Sequence, residues 1–138
     1  MADFKRLQVW AKAHALALNV HRVAARIRGT TFSPVKAQMI RAAMSIPANI
    51  VEGRAHESER EFVRFLRIAI ASNSELEYHL LVARDIGAIG QSDFISLFGQ
   101  LIDVRKMLHG LINRIVGDRE TAASTPDVAR PEGAEEPA

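Results

Sequence analysis

The 138-residue chain contains no cysteine, which excludes disulfide bridges, catalytic thiols and thiolate metal sites such as zinc fingers. It also lacks any run of about 18 uncharged apolar residues, the length that a membrane-spanning helix requires. The N-terminal residues carry charge without the apolar segment of a secretory signal. No strand pattern and no Gly-rich phosphate loop is present either. We therefore expect a cytoplasmic protein with no membrane partner.

Hydrophobic residues make up 48% of the chain, enough for one buried core at this length. Charge is divided unevenly: residues 1–117 carry 16 Lys and Arg against 10 Asp and Glu, whereas residues 118–138 carry 2 against 6. The second segment is rich in Ala, Pro, Glu and Thr and has too few large apolar residues to offset the entropy of ordering. The sequence predicts one domain over residues 1–117, followed by a disordered acidic tail over residues 118–138.

Apolar residues recur every 3.5 residues on average in separate segments, which is typical of amphipathic helices. The clearest series steps alternately by three and four residues and comprises Phe94, Leu97, Leu101, Val104, Leu108, Leu111 and Ile115. A second series comprises Val9, Ala13, Leu16, Val20, Val23 and Ile27. The spacing predicts an all-α protein.

Residues that start and stop helices divide the chain into four segments. The expected ends are Gly29, Gly53, Gly87 or Gly90, and Gly117; the expected starts are Ser33 with Pro34, Ser58 with Glu61 as a capping box, and Ser92 or Asp93. Short connections make neighbouring helices antiparallel, so we expect an elongated up-down-up-down four-helix bundle. Pro47 lies inside the second helix and is expected to kink it.

Catalytic and metal-binding patterns are missing from the chain. Di-iron bundles need two Glu-x-x-His motifs, and none is present. No serine lies in a strand-to-helix elbow of the hydrolase type. His14, His21 and His79 are interpreted as surface or interface residues. We expect no enzyme activity, no metal and no cofactor.

Polar residues share one face of each of the two central helices. Arg41, Asn49 and Glu52 belong to the second helix, and Ser72 and Glu75 to the third. We expect a buried polar network that joins the helices, with an oligomer contact or a ligand site as alternatives. Asn73, on the apolar side of the third helix, is expected to fix helix register.

Six arginines form two clusters that are candidates for binding RNA or DNA. The first contains Arg22, Arg26 and Arg28 at the end of helix one, and the second contains Arg60, Arg64 and Arg67 at the start of helix three. We expect both clusters at the same end of the bundle, where they would form one anion-binding patch. The alternative is that neighbouring glutamates such as Glu57, Glu59 and Glu61 neutralise the second cluster.

The run from Arg41 to Gly53, RAAMSIPANIVEG, resembles the central signature of the small bacterial four-helix-bundle proteins found as reading frames in intervening sequences of 23S rRNA genes. Flanking residues resemble that family too: Leu7, Val9 and Trp10 at its opening, and Glu61, Phe62, Phe65, Leu66, Ile68, Ala69, Ser72, Glu75, Leu80, Ala83 and Gly87 on its third helix. The resemblance extends over residues 4–117. The sequence departs from the family at Ala71, where glycine is common, and the acidic tail lies outside the resemblance.

The resemblance implies an up-down bundle that assembles into a ring-like homopentamer, has no catalytic activity and interacts with RNA or DNA. A related branch is the accessory protein of diversity-generating retroelements, whose role we do not transfer to this chain. Apolar residues outside the core series favour self-association, with a broad core stripe as the alternative: Val63, Ile70, Leu81, Val82, Ile95, Ile102, Ile112 and Val116. The sequence thus leaves two hypotheses: a nucleic-acid-binding homo-oligomer, or a structural or protein-interaction adaptor.

Overall fold

The computed structural model describes the backbone of residues 3–129 and the side chains of residues 3–121. A short 3-10 helix, Phe4–Arg6, precedes four α-helices: α1 (Gln8–Ala25), α2 (Ser33–Arg54), α3 (Glu59–Asp85) and α4 (Gln91–Ala129). No strand occurs in this part of the chain. The predicted all-α class and the four helices are confirmed.

Local residue signals explain three of the helix boundaries: the starts of α2 and α3 and the end of α3. The Ser58 hydroxyl accepts a hydrogen bond of 3.3 Å from the Glu61 N–H, so the predicted cap starts α3. Pro34 lies in the first turn of α2, where its missing N–H has no helical partner to lose. Gly87 follows α3 with a φ of 80°, a left-handed conformation that glycine adopts without strain.

The prediction that the fourth helix ends at Gly117 is wrong, because α4 continues to Ala129. Gly117 does not adopt a positive φ, so it does not form the left-handed turn that ends many helices. A glycine inside a helix costs about 1 kcal/mol relative to alanine, which good helix formers on both sides can offset. Of the predicted disordered tail, residues 130–138 lie outside the described residues.

The predicted apolar series form the core. Leu97, Leu101, Val104 and Leu108 of α4 are at most 1% exposed, and Leu16, Ile46 and Leu66 of the other helices are fully buried. Each helix packs against two others, in the cyclic order α1, α2, α3, α4, so that the bundle is square in section. One shared core therefore holds all four helices together.

Contacts between neighbouring helices pair residues in opposite sequence order. Between α2 and α3, Arg41 contacts Glu75 and Ser45 contacts Ser72. Between α1 and α4, the hydrogen-bonded pairs are Asn19 with Gln100 and Arg26 with Asp93. This order is the one that short connections impose on helices that follow each other along the chain.

Pro47 is buried within α2, and the helix continues through it to Arg54. The kink expected there stays a prediction, as does the elongated shape. Within the described residues, no helix combines the length and apolarity needed to span a bilayer.

Candidate nucleic-acid interface

The outer side of α3 carries the second arginine cluster. Arg60, Arg64 and Arg67 are all exposed and are spaced by four and three residues, which places them on one face of the helix. Ala71 and Ser74 continue the same face and are also exposed. These five residues, which we call the α3 basic stripe, include no carboxylate.

Glutamate neutralises only one of these arginines. Arg64 donates to the Glu61 carboxylate through Nε at 3.2 Å and through Nη2 at 3.1 Å, and its guanidinium lies 4.5 Å from the centre of the Phe65 ring. The hydrogen bond from Arg64 lowers the pKa of Glu61, so the pair stays ionised at neutral pH. Within the described part of the chain, Arg60 and Arg67 have no carboxylate within 4.0 Å.

The first cluster lies at the end of α1 and is partly paired. Arg26 forms an ion pair of 2.8 Å with Asp93 at the start of α4. Arg22 donates to the Asn19 side-chain oxygen at 2.6 Å, and Arg28 is exposed. Arg26 is therefore held close to the start of α4 rather than close to the start of α3.

The two clusters do not form one patch, and this prediction is wrong. Arg26 binds Asp93, which precedes Phe94, and the Arg84 guanidinium near the end of α3 lies 4.6 Å from the Phe94 ring. Arg64 lies 20 residues before Arg84 on α3, about 30 Å away at 1.5 Å per residue. In an alternating bundle the end of the first helix lies beside the end of the third, not beside its start.

Part of the predicted polar network joins α2 to α3 at the surface. Arg41 forms an ion pair of 3.1 Å with Glu75, and it also donates to Gln38. His79 lies 3.4 Å from the same Glu75 carboxylate. The Arg41 and Glu75 side chains are 63% and 42% exposed, so this contact is not the buried clamp that the sequence suggested.

A second group of the network lies deeper in the α2–α3 contact. The hydroxyls of Ser45 and Ser72 are 2.7 Å apart, and the Asn49 amide donates to the Ser45 carbonyl at 2.8 Å. Glu52 is exposed and makes no side-chain hydrogen bond with these residues. Four of the five predicted members thus lie at the α2–α3 contact in two groups, and Glu52 lies outside both.

The most buried polar contact joins α3 to α4, and the sequence predicted only one of its residues, Asn73. Asn73 is fully buried; it donates to the Leu101 carbonyl at 3.0 Å and accepts from Arg105 Nε at 2.9 Å. Arg105 also pairs with Glu77. The polar residue in an apolar series indicated Asn73, but no sequence signal linked it to an arginine 32 positions later.

The eight apolar residues that favoured self-association have different environments. Val63 and Ile112 are buried in the core, whereas Ile95 is 60% exposed. Partly buried positions against the core are occupied by Ile70, Leu81, Val82, Ile102 and Val116. No group of three His, Asp or Glu side chains within the described residues is arranged to hold a metal ion.

Comparison with known proteins places this bundle among characterised folds. The family model described as 23S rRNA-intervening sequence protein matches residues 5–110. A crystal structure of a protein of unknown function from the S23 ribosomal protein family of Bacteroides thetaiotaomicron is similar, with a TM-score of 0.70 and 23% sequence identity. The match covers 76% of this chain and 95% of that one, and at this identity it shows the fold alone. No curated protein matches significantly.

Proposed function

Because the chain belongs to the family of 23S rRNA-intervening sequence proteins, we propose that it is a cytoplasmic, non-enzymatic homo-oligomer that binds RNA or DNA. The family match covers most of the bundle, so the proposal concerns the bundle rather than the acidic tail. Five copies are proposed, in line with the ring that the resemblance implies.

The observation that carries the nucleic-acid proposal is the α3 basic stripe. Arg60 and Arg67 present guanidinium groups without a neighbouring carboxylate, and guanidinium geometry suits two-pronged contacts with phosphate. Ala71 and Ser74 extend the stripe with small side chains, which let a phosphate backbone approach the helix. In an oligomer the stripe is repeated, and several weak sites on one particle bind one strand more tightly than a single site does.

Salt-dependent titration tests this proposal. Phosphate contacts release counterions, so the affinity of the wild type for single-stranded RNA and DNA is expected to fall steeply with salt. Log K falls as log salt rises, and replacing Arg60, Arg64 and Arg67 by glutamine should make this fall less steep. The magnitude of the slope should decrease by about 1 for each phosphate contact removed, hence by about 2 to 3. Fluorescence anisotropy with a labelled oligonucleotide measures both quantities.

The matched control replaces Arg22, Arg26 and Arg28 by glutamine. It removes the same number of charges from the other end of the bundle, and should leave the slope close to that of the wild type. Equal losses of affinity and of salt slope in the two triple variants would show that binding depends on net charge rather than on the α3 basic stripe. A wild type that binds neither RNA nor DNA at low salt would exclude the nucleic-acid role.

An adaptor without nucleic-acid binding is the second candidate. It is favoured by the arginines that already pair with carboxylates: Arg26 with Asp93, Arg41 with Glu75 and Arg64 with Glu61. In this case Arg60 and Arg67 would make similar ion pairs across subunits. The adaptor would be supported if the wild-type oligomer does not bind nucleic acid and the Arg60→Gln, Arg67→Gln double variant dissociates.

A further inference from the structure

A groove that contains no Asp, Glu, Lys or Arg runs between α1 and α2 on the surface of the bundle. It is lined mainly by Trp10, His14, Leu18 and His21 of α1 and by Met44 and Val51 of α2, and has a volume of about 430 Å³. The Trp10 and His14 rings stack at 4.9 Å. Leu18 and Met44 are 42% and 57% exposed, so large apolar side chains face water here. We call this surface the α1/α2 groove.

Apolar side chains also protrude where α3 packs on α4. Tyr78 and Ile95 are 63% and 60% exposed, the highest values among the exposed large apolar residues. Leu81, Phe98 and Ile102 are half-buried against the core. We call these five residues the α3/α4 ridge.

Helical spacing brings the ridge residues together along the α3–α4 contact. Glu77 faces α4, because it pairs with Arg105. Leu81 lies one turn after Glu77, and Ile102 lies one turn before Arg105, so both flank the same line of contact. Tyr78 lies three residues before Leu81 and four residues after Ser74, so it borders both the α3–α4 contact and the α3 basic stripe. Ile95 lies seven residues before Ile102, on the same face of α4.

The groove and the ridge lie on opposite sides of the square bundle, because α1 is adjacent to α2 and α3 is adjacent to α4. One surface is a groove, and the other exposes two large apolar side chains, Tyr78 and Ile95. Two grooves placed face to face would enclose a void, which close-packed interfaces avoid. A head-to-tail assembly needs two different surfaces on each copy, and this pair meets that requirement.

We propose that the α1/α2 groove binds the α3/α4 ridge of a second copy of this chain. The inference rests on the homo-oligomer proposed above and assigns its interface. The α1/α2 face that contains the groove follows the 18 residues of α1, about 27 Å, and two helices are about 20 Å wide, so the footprint of the whole face is roughly 500 Å². Two partners that meet over this face would bury about 1,000 Å² in total, which is the lower end of the range for specific protein interfaces.

Matched double variants test the assignment. The groove variant carries Leu18→Glu and Met44→Glu, and the ridge variant carries Tyr78→Glu and Ile95→Glu. The control carries Ile68→Glu and Ile86→Glu, two exposed residues of similar size, 37% and 49% exposed, outside both surfaces. All six positions are exposed, so the monomer fold should persist, which circular dichroism verifies.

The groove variant and the ridge variant are each expected to be monomeric at a concentration where the wild type and the control are fully assembled. Mixed together, they should form a 1:1 heterodimer that does not grow, since one intact groove meets one intact ridge. The chain has a single tryptophan, Trp10, which lies in the groove. Its emission in the ridge variant should shift to shorter wavelength on mixing, because the ridge of the partner excludes water from it.

Any other result would contradict either the proposed interface or the homo-oligomer itself. A ridge variant that assembles while the groove variant does not would indicate groove-to-groove pairing and exclude the proposed interface. An assembled groove variant, or a mixture that stays monomeric, would exclude it as well. A monomeric wild type would overturn the homo-oligomer itself and would leave the groove to a different partner.

Discussion

Individual polar residues differ in how much they contribute to the stability of the fold, and their burial explains the difference. Asn73 is fully buried and satisfies both the Leu101 carbonyl and Arg105. The Arg41–Glu75 ion pair is mostly exposed, and such pairs contribute about 0 to 1 kcal/mol because water screens them. We infer that Asn73 sets the register of α3 against α4, whereas Arg41 adds little to stability.

Truncation of these two residues tests the inference. Asn73→Ala leaves a buried carbonyl and part of a buried guanidinium without partners, so the free energy of unfolding should fall by about 2 to 3 kcal/mol. Arg41→Ala should lower it by less than about 1 kcal/mol. Urea unfolding at one fixed protein concentration measures both changes. A larger loss for Arg41→Ala than for Asn73→Ala would contradict this ranking.

Sequence patterns identify polar residues more readily than their partners. Asn73 stands out because it interrupts an apolar series, and Arg41 because it shares a face with other polar residues. Contacts between helices depend on how two distant segments align, which no local spacing encodes. The Arg105 partner of Asn73 was therefore missed, and the exposure of the Arg41–Glu75 pair could not be foreseen.

The α2 and α3 helices approach each other closely near Gly53. A Cβ atom at Gly53 would lie 2.7 Å from the Phe65 Cβ, which is too close, and 3.0 Å from Phe62 Cδ1, which is tight. Gly99 lies within α4 with open space around its Cα. The two glycines thus have different roles although both lie inside helices.

Alanine substitutions distinguish these roles. Gly53→Ala should lower the free energy of unfolding by about 1 to 3 kcal/mol, because α2 must move away from α3. Gly99→Ala should raise it by about 0.5 to 1 kcal/mol, since alanine loses less backbone entropy in a helix. Thermal unfolding of the two variants provides the comparison. A stabilised Gly53→Ala variant would show that the helices are not in contact there.

Helix starts were easier to predict than helix ends. The Ser58 cap and Pro34 act within one turn, so their effect can be inferred locally. Whether Gly117 ends a helix depends instead on the helix propensity of the residues beyond it, and α4 continues to Ala129. Glycine is a weak stop signal unless its backbone adopts a positive φ.

For the whole molecule, the apolar periodicity was sufficient to predict the fold class. Predicting where the basic clusters lie also required the correct direction of each helix in the bundle. Alternation of direction puts Arg26 beside Asp93 and leaves Arg64 at the far end of α3. Each copy therefore presents two separate basic sites rather than one. The homo-oligomer proposed above would bring equivalent arginines of several copies together on one side.

The proposed function depends on assembly of this chain into a homo-oligomer. Multi-angle light scattering on the purified full-length chain tests it most directly, because the measured mass does not depend on the shape of the particle. We expect a particle of about 76 kDa, five times the 15.2 kDa chain, that persists on dilution into the low micromolar range. A mass of 15.2 kDa at every concentration would contradict it.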